Sequence, residues 1–302
     1  MNIREICYRY GRELLEDITI APYTSFKIGG NCNIVKINNI ALLRELLMFC
    51  KKNAVQYRIL GKGSNVLISS GGLKGLILLL SDDFAETNIN GDTIECMAGA
   101  RLSSVCKAAY EKSLTGLEFA YGIPGSVGGA IYMNAGAYGG EMSNIVTSCE
   151  YIDVGCFEKD ELPIKQIAVE DMSLSYRHSI FTDNDWVITK AIIRLKKGDK
   201  TAIKTQMTEI SDKRREKQPL ELPSAGSTFK RPPGHFAAKL IDDCGLRGKT
   251  VGGAMVSEKH AGFVVNKGGA TFDDVTRLIK LIQDDVFDKT GIMLEREVEV
   301  WE

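Results

Sequence analysis

Residues 121–141 form the most glycine-rich part of the chain and read YGIPGSVGGAIYMNAGAYGGE, with glycine at seven positions. An ordinary helix or strand does not carry glycine at this density, because each glycine costs backbone entropy on folding. Without Cβ atoms, main-chain N–H groups can approach a phosphate closely and form an anion-binding concavity. The sequence therefore predicts a phosphate-binding loop in this stretch.

A shorter glycine loop, Gly61-Lys62-Gly63-Ser64-Asn65, follows the strand-like run Tyr57–Leu60. By itself a Gly-x-Gly pattern is a weak signal, and a tight turn explains it equally well. Two such loops after strand-like runs favour one diphosphate held from two sides, and hence a dinucleotide. Neither loop has the Gly-x-Gly-x-x-Gly pattern of a Rossmann βαβ unit or the lysine-containing pattern of a P-loop, so both folds are disfavoured.

Composition excludes several other classes of protein. The formal net charge of the 302 residues is -1, which gives no basic surface for a nucleic-acid backbone. The sequence contains no run of about 20 apolar residues for a membrane span, and its start is charged where a signal peptide is apolar. The eight cysteines include no Cys-x-x-Cys pair, and three scattered histidines favour no metal site. We therefore expect a cytoplasmic protein with reduced thiols that binds neither membrane nor nucleic acid.

The hydrophobic pattern predicts strands and helices in mixed order, typical of an α+β protein. Strands are predicted at 34–37, 57–60, 66–69, 93–97, 147–154 and 187–195, with an apolar run at 76–80, and helices after Asn39 and over 102–110. Lys196–Lys200 has the composition of a linker. Beyond it, Thr271 and Asp274 form the capping box of a helix that Gly291 ends. The alternation over Ile292–Trp301 predicts a final strand.

Four groups of polar residues are candidates for chemistry, and none of them is specific on residue types alone. The turn Pro223–Pro232 has hydroxyls and cations, although a serine-rich surface turn accounts for them. Lys213–Lys217 suit an anionic ligand, but basic residues are also favoured at a solvated helix end. An ordinary ion pair would explain Arg177 equally well. The alternation of residues 295–299 does not indicate which of the three glutamates is functional.

Taken together, these segments resemble the UDP-N-acetylenolpyruvoylglucosamine reductase family of flavoenzymes. The matching segments occur in the family's order and span essentially the whole chain. They are Thr24–Gly30, Gly61–Leu67, Gly122–Gly129 with Asn134–Gly139, Ser175–Arg177, Ala225–Lys230 and Leu294–Val298.

The resemblance implies a flavoprotein fold of the vanillyl-alcohol-oxidase (PCMH) type. Two FAD-binding α+β subdomains are expected at 1–80 and 81–197, and an α+β substrate-binding domain at 198–302. FAD is expected to be non-covalent, because Ser64-Asn65 occupies the place where related oxidases attach flavin through histidine. The implied FAD-binding residues are Thr24, Ser25, Gly61, Gly63, Ser64, Asn65, Gly122, Ile123, Gly125, Ser126 and Gly128.

The implied reaction is a step of peptidoglycan precursor synthesis. NADPH reduces FAD, and the flavin then reduces the enolpyruvyl double bond of UDP-N-acetylglucosamine enolpyruvate, giving UDP-N-acetylmuramate. By resemblance, Ser227 donates the proton, while Arg177 and Glu297 stabilise the enolate-like intermediate. The residues expected to contact this UDP-sugar are Arg214, Lys217, Lys230 and His260.

The sequence departs from the family pattern at a few places. Only residues 182–185 separate Phe181 from Trp186, which leaves no room for the tyrosine-bearing loop that some members fold over the substrate. Arg231 and His260 also differ from the residues that are common in those members, which form the first type of the family. The chain therefore resembles the second, shorter type.

Two alternatives remain open from the sequence. An oxidase of the same flavin fold would act on a small alcohol or sugar, and its flavin would be reoxidised rapidly by oxygen. A non-catalytic nucleotide-binding module would keep the glycine loops, although the retention of Arg177, Ser227 and Glu297 argues against it.

Overall fold

The computed structural model describes residues 2–156 and 161–302 of the chain. The α-helices of the described residues are α1 (Ile3–Arg9), α2 (Ile40–Lys52), α3 (Leu102–Glu111), α4 (Val127–Tyr132), α5 (Ile180–Asp183), α6 (Lys200–Lys217), α7 (Ala237–Asp243) and α8 (Phe272–Thr290). The strands are β1 (Leu14–Thr19), β2 (Asn31–Ile37), β3 (Tyr57–Leu60), β4 (Val66–Ile68), β5 (Leu76–Leu80), β6 (Thr87–Asn90), β7 (Thr93–Met97), β8 (Leu114–Thr115), β9 (Gly136–Ala137), β10 (Gly140–Glu141), β11 (Val146–Asp153), β12 (Ile164–Ala168), β13 (Trp186–Arg194), β14 (Lys196–Lys197), β15 (Thr250–Val251), β16 (Ala254–Val256), β17 (Val264–Asn266) and β18 (Glu299–Trp301).

The chain divides into two compact units, each built from segments that are separate in the sequence. Unit 1 consists of Met1–Glu16, Asn33–Lys62 and Gly75–Asp212. Unit 2 consists of Asp17–Cys32, Gly63–Lys74 and Lys213–Glu302. Each unit has its own apolar core. The division into 1–80, 81–197 and 198–302 stays a prediction.

The first sheet of unit 1 contains the parallel strands β2, β5 and β3, with β5 in the middle. All five residues of Leu76–Leu80 are buried, as expected for a central parallel strand that is covered on both faces. Helix α2 connects β2 to β3. It begins because the Asn39 side chain accepts a hydrogen bond from Leu42 N at 2.8 Å, as its sequence predicted.

The second sheet of unit 1 is antiparallel, in the order β12-β11-β13-β7-β6. The predicted linker that follows it is wrong. Lys196–Lys197 pair with Leu114–Thr115, and α6 begins at Lys200. The polar composition misled the prediction because Lys196 and Lys197 bond through their main chains while both residues remain exposed.

Unit 2 combines the antiparallel sheet β15-β16-β17, the parallel pair β4 and β18, and helices α7 and α8. The capping box of α8 is confirmed, since Thr271 Oγ1 accepts from Asp274 N at 3.1 Å and Asp274 Oδ2 accepts from Thr271 N at 3.0 Å. Gly291 ends the helix with a φ of 71°. Such a left-handed residue is the usual end of a helix.

The C-terminal run is only partly the strand that its alternation predicts. Leu294 and Val298 are buried as expected, but only Glu299–Trp301 pair as a strand, with β4. Among the described residues, no helix is both long enough and apolar enough to cross a membrane.

Candidate active site

The two glycine loops meet in unit 1. A Cβ atom on Gly61 would lie 2.4 Å from Ser126 Oγ, so only glycine fits without moving that side chain. The backbone of Ser126 is itself held beside Arg101, because Leu102 N donates to Gly125 O at 3.1 Å. The sequence prediction that the two loops serve one site is therefore consistent with the packing of Gly61 on Ser126.

A carboxylate links the cations of these loops. Asp82 accepts from Arg101 Nη2 at 2.8 Å and from Lys62 Nζ at 2.5 Å. The bonds from Arg101 and then Lys62 hold the pKa of Asp82 well below its usual range. The Asp82 side chain is 60% exposed, so solvent screens the ion pairs and they contribute little stability. Their effect is to fix two positive charges beside the loops.

Several main-chain amides in the loops have no main-chain acceptor. In the described part of unit 1, the N–H groups of Gly122, Gly125 and Ser126 donate to no carbonyl, whereas Ile123 N donates to Ala120 O at 3.0 Å. In the described part of unit 2, the same is true of the consecutive residues 63–65. Glycine turns with unbonded N–H groups and nearby cations fit a phosphate-containing cofactor. The amides and cations of unit 1 are therefore suited to a phosphate group.

Gly63 occupies a place that no other residue fits. Its φ is 61°, and a Cβ atom would lie 2.4 Å from Tyr23 O. The neighbouring Ser25 donates from its main chain to Gly63 O at 2.9 Å and from Oγ to Ser224 O at 2.6 Å. Thr24 is buried, and its Oγ1 donates to Ala21 O at 3.1 Å. Ser25 is thus bonded directly to the loop, whereas the Thr24 side chain holds the turn that precedes it.

Ser227 and Glu297 lie on neighbouring segments of unit 2. Phe229 pairs with Arg296 as an antiparallel bridge, and Glu297 N donates to Thr228 O at 2.9 Å. Thr228 is buried, and its Oγ1 accepts from Val264 N at 2.9 Å. Ser227 therefore precedes a rigid residue that is bonded directly to Glu297, while its own side chain remains half-buried.

Asn65 of the short glycine loop also holds Glu297. Its Nδ2 donates to Glu297 O at 3.1 Å, and its carbonyl accepts from Glu299 N at 3.0 Å. The family resemblance assigned Asn65 to the cofactor, whereas the structure shows its side chain bonded to the main chain of Glu297. Both loop and glutamate thus belong to one hydrogen-bonded assembly within unit 2.

Arg177 lies in unit 1, at the second position of a two-residue turn. Ser175 and His178 on either side exchange main-chain hydrogen bonds of 3.1 and 3.2 Å. The φ of Arg177 is 57°, a left-handed value at which glycine is favoured. Its guanidinium carbon lies 4.9 Å from the centroid of the Tyr176 ring. Strained residues of this kind are concentrated at functional sites.

The residues predicted to contact substrate all lie in unit 2. Arg214 and Lys217 are three residues apart in the last turn of α6 and therefore share one face of that helix. Lys230 Nζ donates to Glu295 Oε1 at 2.5 Å, and Lys230 N donates to Glu295 O at 2.8 Å. This pairing holds the Lys230 side chain beside Glu295. Lys230 lies three residues after Ser227 in the sequence.

His260 is the fourth of these residues. Its ring packs edge-to-face on Phe263 with centroids 4.9 Å apart, and its Nδ1 accepts from Gly262 N at 3.1 Å. Burial lowers the pKa of His260 below its ordinary value of 6.5, which favours the neutral ring that this acceptor role requires. His260 is suited to hydrogen bonding rather than to charge pairing at neutral pH.

The lowered pKa of His260 predicts a pH dependence of stability. The folded state resists protonation, so the free energy of unfolding should decrease as the pH falls below about 6.5 and through the lower folded-state pKa. In His260→Gln this part of the decrease should disappear. Urea unfolding of both proteins between about pH 7 and pH 5 measures the difference; parallel curves would contradict the prediction.

Sequence reasoning missed the role of Asp82, although a signal existed. Lys62 follows β3 and Asp82 follows β5, and these are neighbouring parallel strands. The carboxyl ends of parallel strands meet at one edge of a sheet, and ligands of open α/β sheets bind there. The strand order therefore places Lys62 and Asp82 close together.

Comparison with known proteins identifies the family. Residues 218–301 match the model described as UDP-N-acetylenolpyruvoylglucosamine reductase, C-terminal domain, and residues 33–155 match the model of an FAD binding domain. The UDP-N-acetylenolpyruvoylglucosamine reductase of Clostridium novyi is 45% identical over 292 residues, which is 95% of this chain and 92% of that protein. The enzyme of the same name from Caldanaerobacter subterraneus is 44% identical over 279 residues, covering 92% and 90% of the two chains.

A solved structure agrees with these relatives. The crystal structure of UDP-N-acetylenolpyruvylglucosamine reductase from Thermus caldophilus superposes with a TM-score of 0.81 at 31% identity, covering 96% of this chain and 100% of that chain. The predicted fold class, an α+β flavoprotein with a C-terminal α+β domain, is confirmed. With relatives of this identity along nearly its whole length, the chain belongs to the UDP-N-acetylenolpyruvoylglucosamine reductase family and is an FAD-containing oxidoreductase.

Proposed function

We propose that this protein catalyses the NADPH-dependent reduction of UDP-N-acetylglucosamine enolpyruvate to UDP-N-acetylmuramate, a step of peptidoglycan precursor synthesis. The observation that carries the proposal is the 45% identity to a reductase of this name over 95% of the chain. The local structure of Ser227 with Glu297, and of Arg177, supports it. A cytoplasmic location is proposed because no described cysteine forms a disulfide and seven of the eight are buried.

FAD is proposed to bind non-covalently to the glycine loops. Bound FAD supplies a carrier that accepts hydride from NADPH and donates it to the enolpyruvyl group. The unbonded amides of Gly122, Gly125 and Ser126 and the cations Lys62 and Arg101, all in unit 1, suit its diphosphate. The residues proposed to hold it are Thr24, Ser25, Gly61, Gly63, Ser64, Asn65, Gly122, Ile123, Gly125, Ser126 and Gly128.

The protein's own groups manage the proton and the negative charge. As negative charge develops next to the substrate carboxylate, the Arg177 guanidinium offers two parallel N–H donors. Such a preorganised donor typically contributes about 10²- to 10³-fold in rate. Ser227 is the proposed proton donor, and Glu297 joins Arg177 in stabilising the intermediate. The strained backbone of Arg177 is the expected cost of aiming its side chain.

The remaining cations are proposed to bind the substrate. Arg214 and Lys217 project from one face of α6 and suit the UDP diphosphate. Lys230 and the neutral ring of His260 are proposed to add hydrogen bonds elsewhere on the nucleotide sugar.

An anaerobic titration tests the function as a whole. The purified flavoprotein should lose its flavin colour on addition of NADPH and regain it only when UDP-N-acetylglucosamine enolpyruvate is added. Bleaching without recovery would overturn the substrate assignment. Rapid recovery with oxygen alone would point to an oxidase, and the absence of flavin would point to a binding module.

Gly63→Ala is expected to weaken FAD binding by about 10- to 100-fold. Alanine at this φ is strained, and its Cβ would meet Tyr23 O at 2.4 Å, so the loop must move. The range follows from roughly 1–3 kcal/mol for a residue held in such a conformation. Titration of the apoprotein with FAD, followed by flavin fluorescence, gives the dissociation constant.

Gly129→Ala is the matched control, because it adds the same methyl group to the other glycine loop. Its Cβ would lie 3.5 Å from Ser126 Oγ, which is ordinary contact, and Gly129 is exposed in α4. FAD affinity should stay within about 3-fold of wild type, since alanine also favours the helix. Equal losses in both variants would show that the conformation of Gly63 is not what matters.

A further inference from the structure

The loop that carries Arg177 is held from both sides by the C-terminal end of α4. On one side, Ser179 Oγ donates to Tyr132 O at 2.7 Å, and Ser179 is completely buried. On the other side, Asn134 Nδ2 donates to Ser175 O at 3.1 Å. The two ends of the loop, Ser175 and Ser179, are therefore held in position, and Arg177 lies between them.

The Asn134 side chain is buried and is hydrogen-bonded at both ends of its amide. It is 1% exposed, and its φ is 40°, a value that asparagine tolerates better than most residues. Its side-chain oxygen accepts from Ser143 N at 3.0 Å while its nitrogen donates to Ser175 O. Both ends of the amide are thus used, and only asparagine combines the small size, the donor and the acceptor required here.

Ser175 O has a second partner, which connects Asn134 to the shape of the turn. The same carbonyl accepts from His178 N at 3.2 Å and so closes the turn around Arg177. A donor on this carbonyl restrains the peptide that precedes Tyr176. Loss of the donor should loosen the turn, and Arg177 would then leave its left-handed conformation more easily.

We infer that Asn134 is a positioning residue that holds the Arg177 turn in its active geometry. The inference rests on the proposed role of Arg177 in the reduction of the enolpyruvyl substrate. The alternative is a purely structural role, in which Asn134 only stabilises the fold at the end of α4. The two differ in whether its loss acts through Arg177.

Asn134→Asp tests the inference, because it keeps the size and the acceptor and, when ionised, replaces the donor to Ser175 O with a charged oxygen. Reoxidation of the reduced flavin by UDP-N-acetylglucosamine enolpyruvate should slow about 10-fold, as expected for one buried hydrogen bond. Flavin reduction by NADPH should not change. In the apoprotein, hydrogen exchange of the Ser175 and His178 amides should become faster.

A double-mutant cycle with Arg177→Asn separates positioning from general stability. If Asn134 acts through Arg177, Asn134→Asp should change the reoxidation rate less than about 2-fold once the guanidinium is gone. The same 10-fold loss in both backgrounds, or a wild-type rate in the single variant, would overturn the inference. Asn134→Gly, which keeps the left-handed backbone, provides the same cycle if the buried carboxylate prevents folding.

Failure of the proposed function has a different signature. In that case the reduced wild-type flavin is itself not reoxidised by the enolpyruvyl substrate, and the inference falls with it. A wild-type enzyme that turns over, an impaired Arg177→Asn and a fully active Asn134→Asp would overturn the inference alone.

Discussion

Ser227→Ala is expected to slow reoxidation of the reduced flavin by UDP-N-acetylglucosamine enolpyruvate by about 10²- to 10⁴-fold, the usual effect of losing a positioned proton donor. Reduction of the flavin by NADPH should proceed at the wild-type rate, because no proton from Ser227 is needed there. Stopped-flow absorbance of the flavin, recorded anaerobically for each half-reaction, separates the two steps.

The structure makes this variant easy to interpret. The neighbouring Thr228 is held at three points, through its N–H to Gly262 O at 2.8 Å, its carbonyl to Glu297 N and its hydroxyl to Val264 N. The backbone at residue 227 should therefore stay in place when the hydroxyl is removed. The unfolding temperature is expected to change little.

Ser224→Ala is the matched control in the same turn. The hydrogen bond of Ser224 to Ser25 uses its main-chain carbonyl, which alanine retains. Its reoxidation rate should stay within about 3-fold of wild type, as for substitutions outside the reacting groups. If Ser227→Ala behaved like Ser224→Ala, another group would have to supply the proton.

Local sequence signals predicted several helix ends correctly. The caps at Asn39 and Thr271 and the stop at Gly291 act within a few residues, so the chain itself contains the information. The pairing of Val66–Ile68 with Glu299–Trp301 joins segments more than two hundred residues apart. No local pattern encodes such a pairing, which explains why the inclusion of residues 17–32 and 63–74 in unit 2 was not predicted.

The residues of the candidate site were likewise only partly predictable from local sequence. Glycine density revealed both loops, because close backbone approach demands glycine wherever it occurs. Asn65 and Asn134 looked like ordinary members of these loops, since asparagine is common in turns. Their side chains instead bond to Glu297 O and Ser175 O, 232 and 41 residues away in the chain. Only the folded structure shows that the loops also hold the segments of the proposed catalytic residues.

Arg177→Asn is expected to lower the rate of flavin reoxidation by the enolpyruvyl substrate by about 10²- to 10³-fold, through loss of the donors that face the developing charge. The free energy of unfolding should stay within about 1 kcal/mol of wild type, because asparagine relieves the strain of an arginine at a φ of 57°. Half-reaction kinetics and urea unfolding measure the two effects on one protein.

Arg177→Lys distinguishes geometry from charge at this position. Lysine keeps the positive charge but offers no planar pair of donors, so most of the rate loss should remain. A lysine variant close to wild type would mean that charge alone is sufficient. An asparagine variant that lost activity and stability together would make Arg177 a structural residue. The expected outcome, lost activity in a protein of undiminished stability, is the mark of a residue whose strained conformation is maintained for chemistry and not for folding.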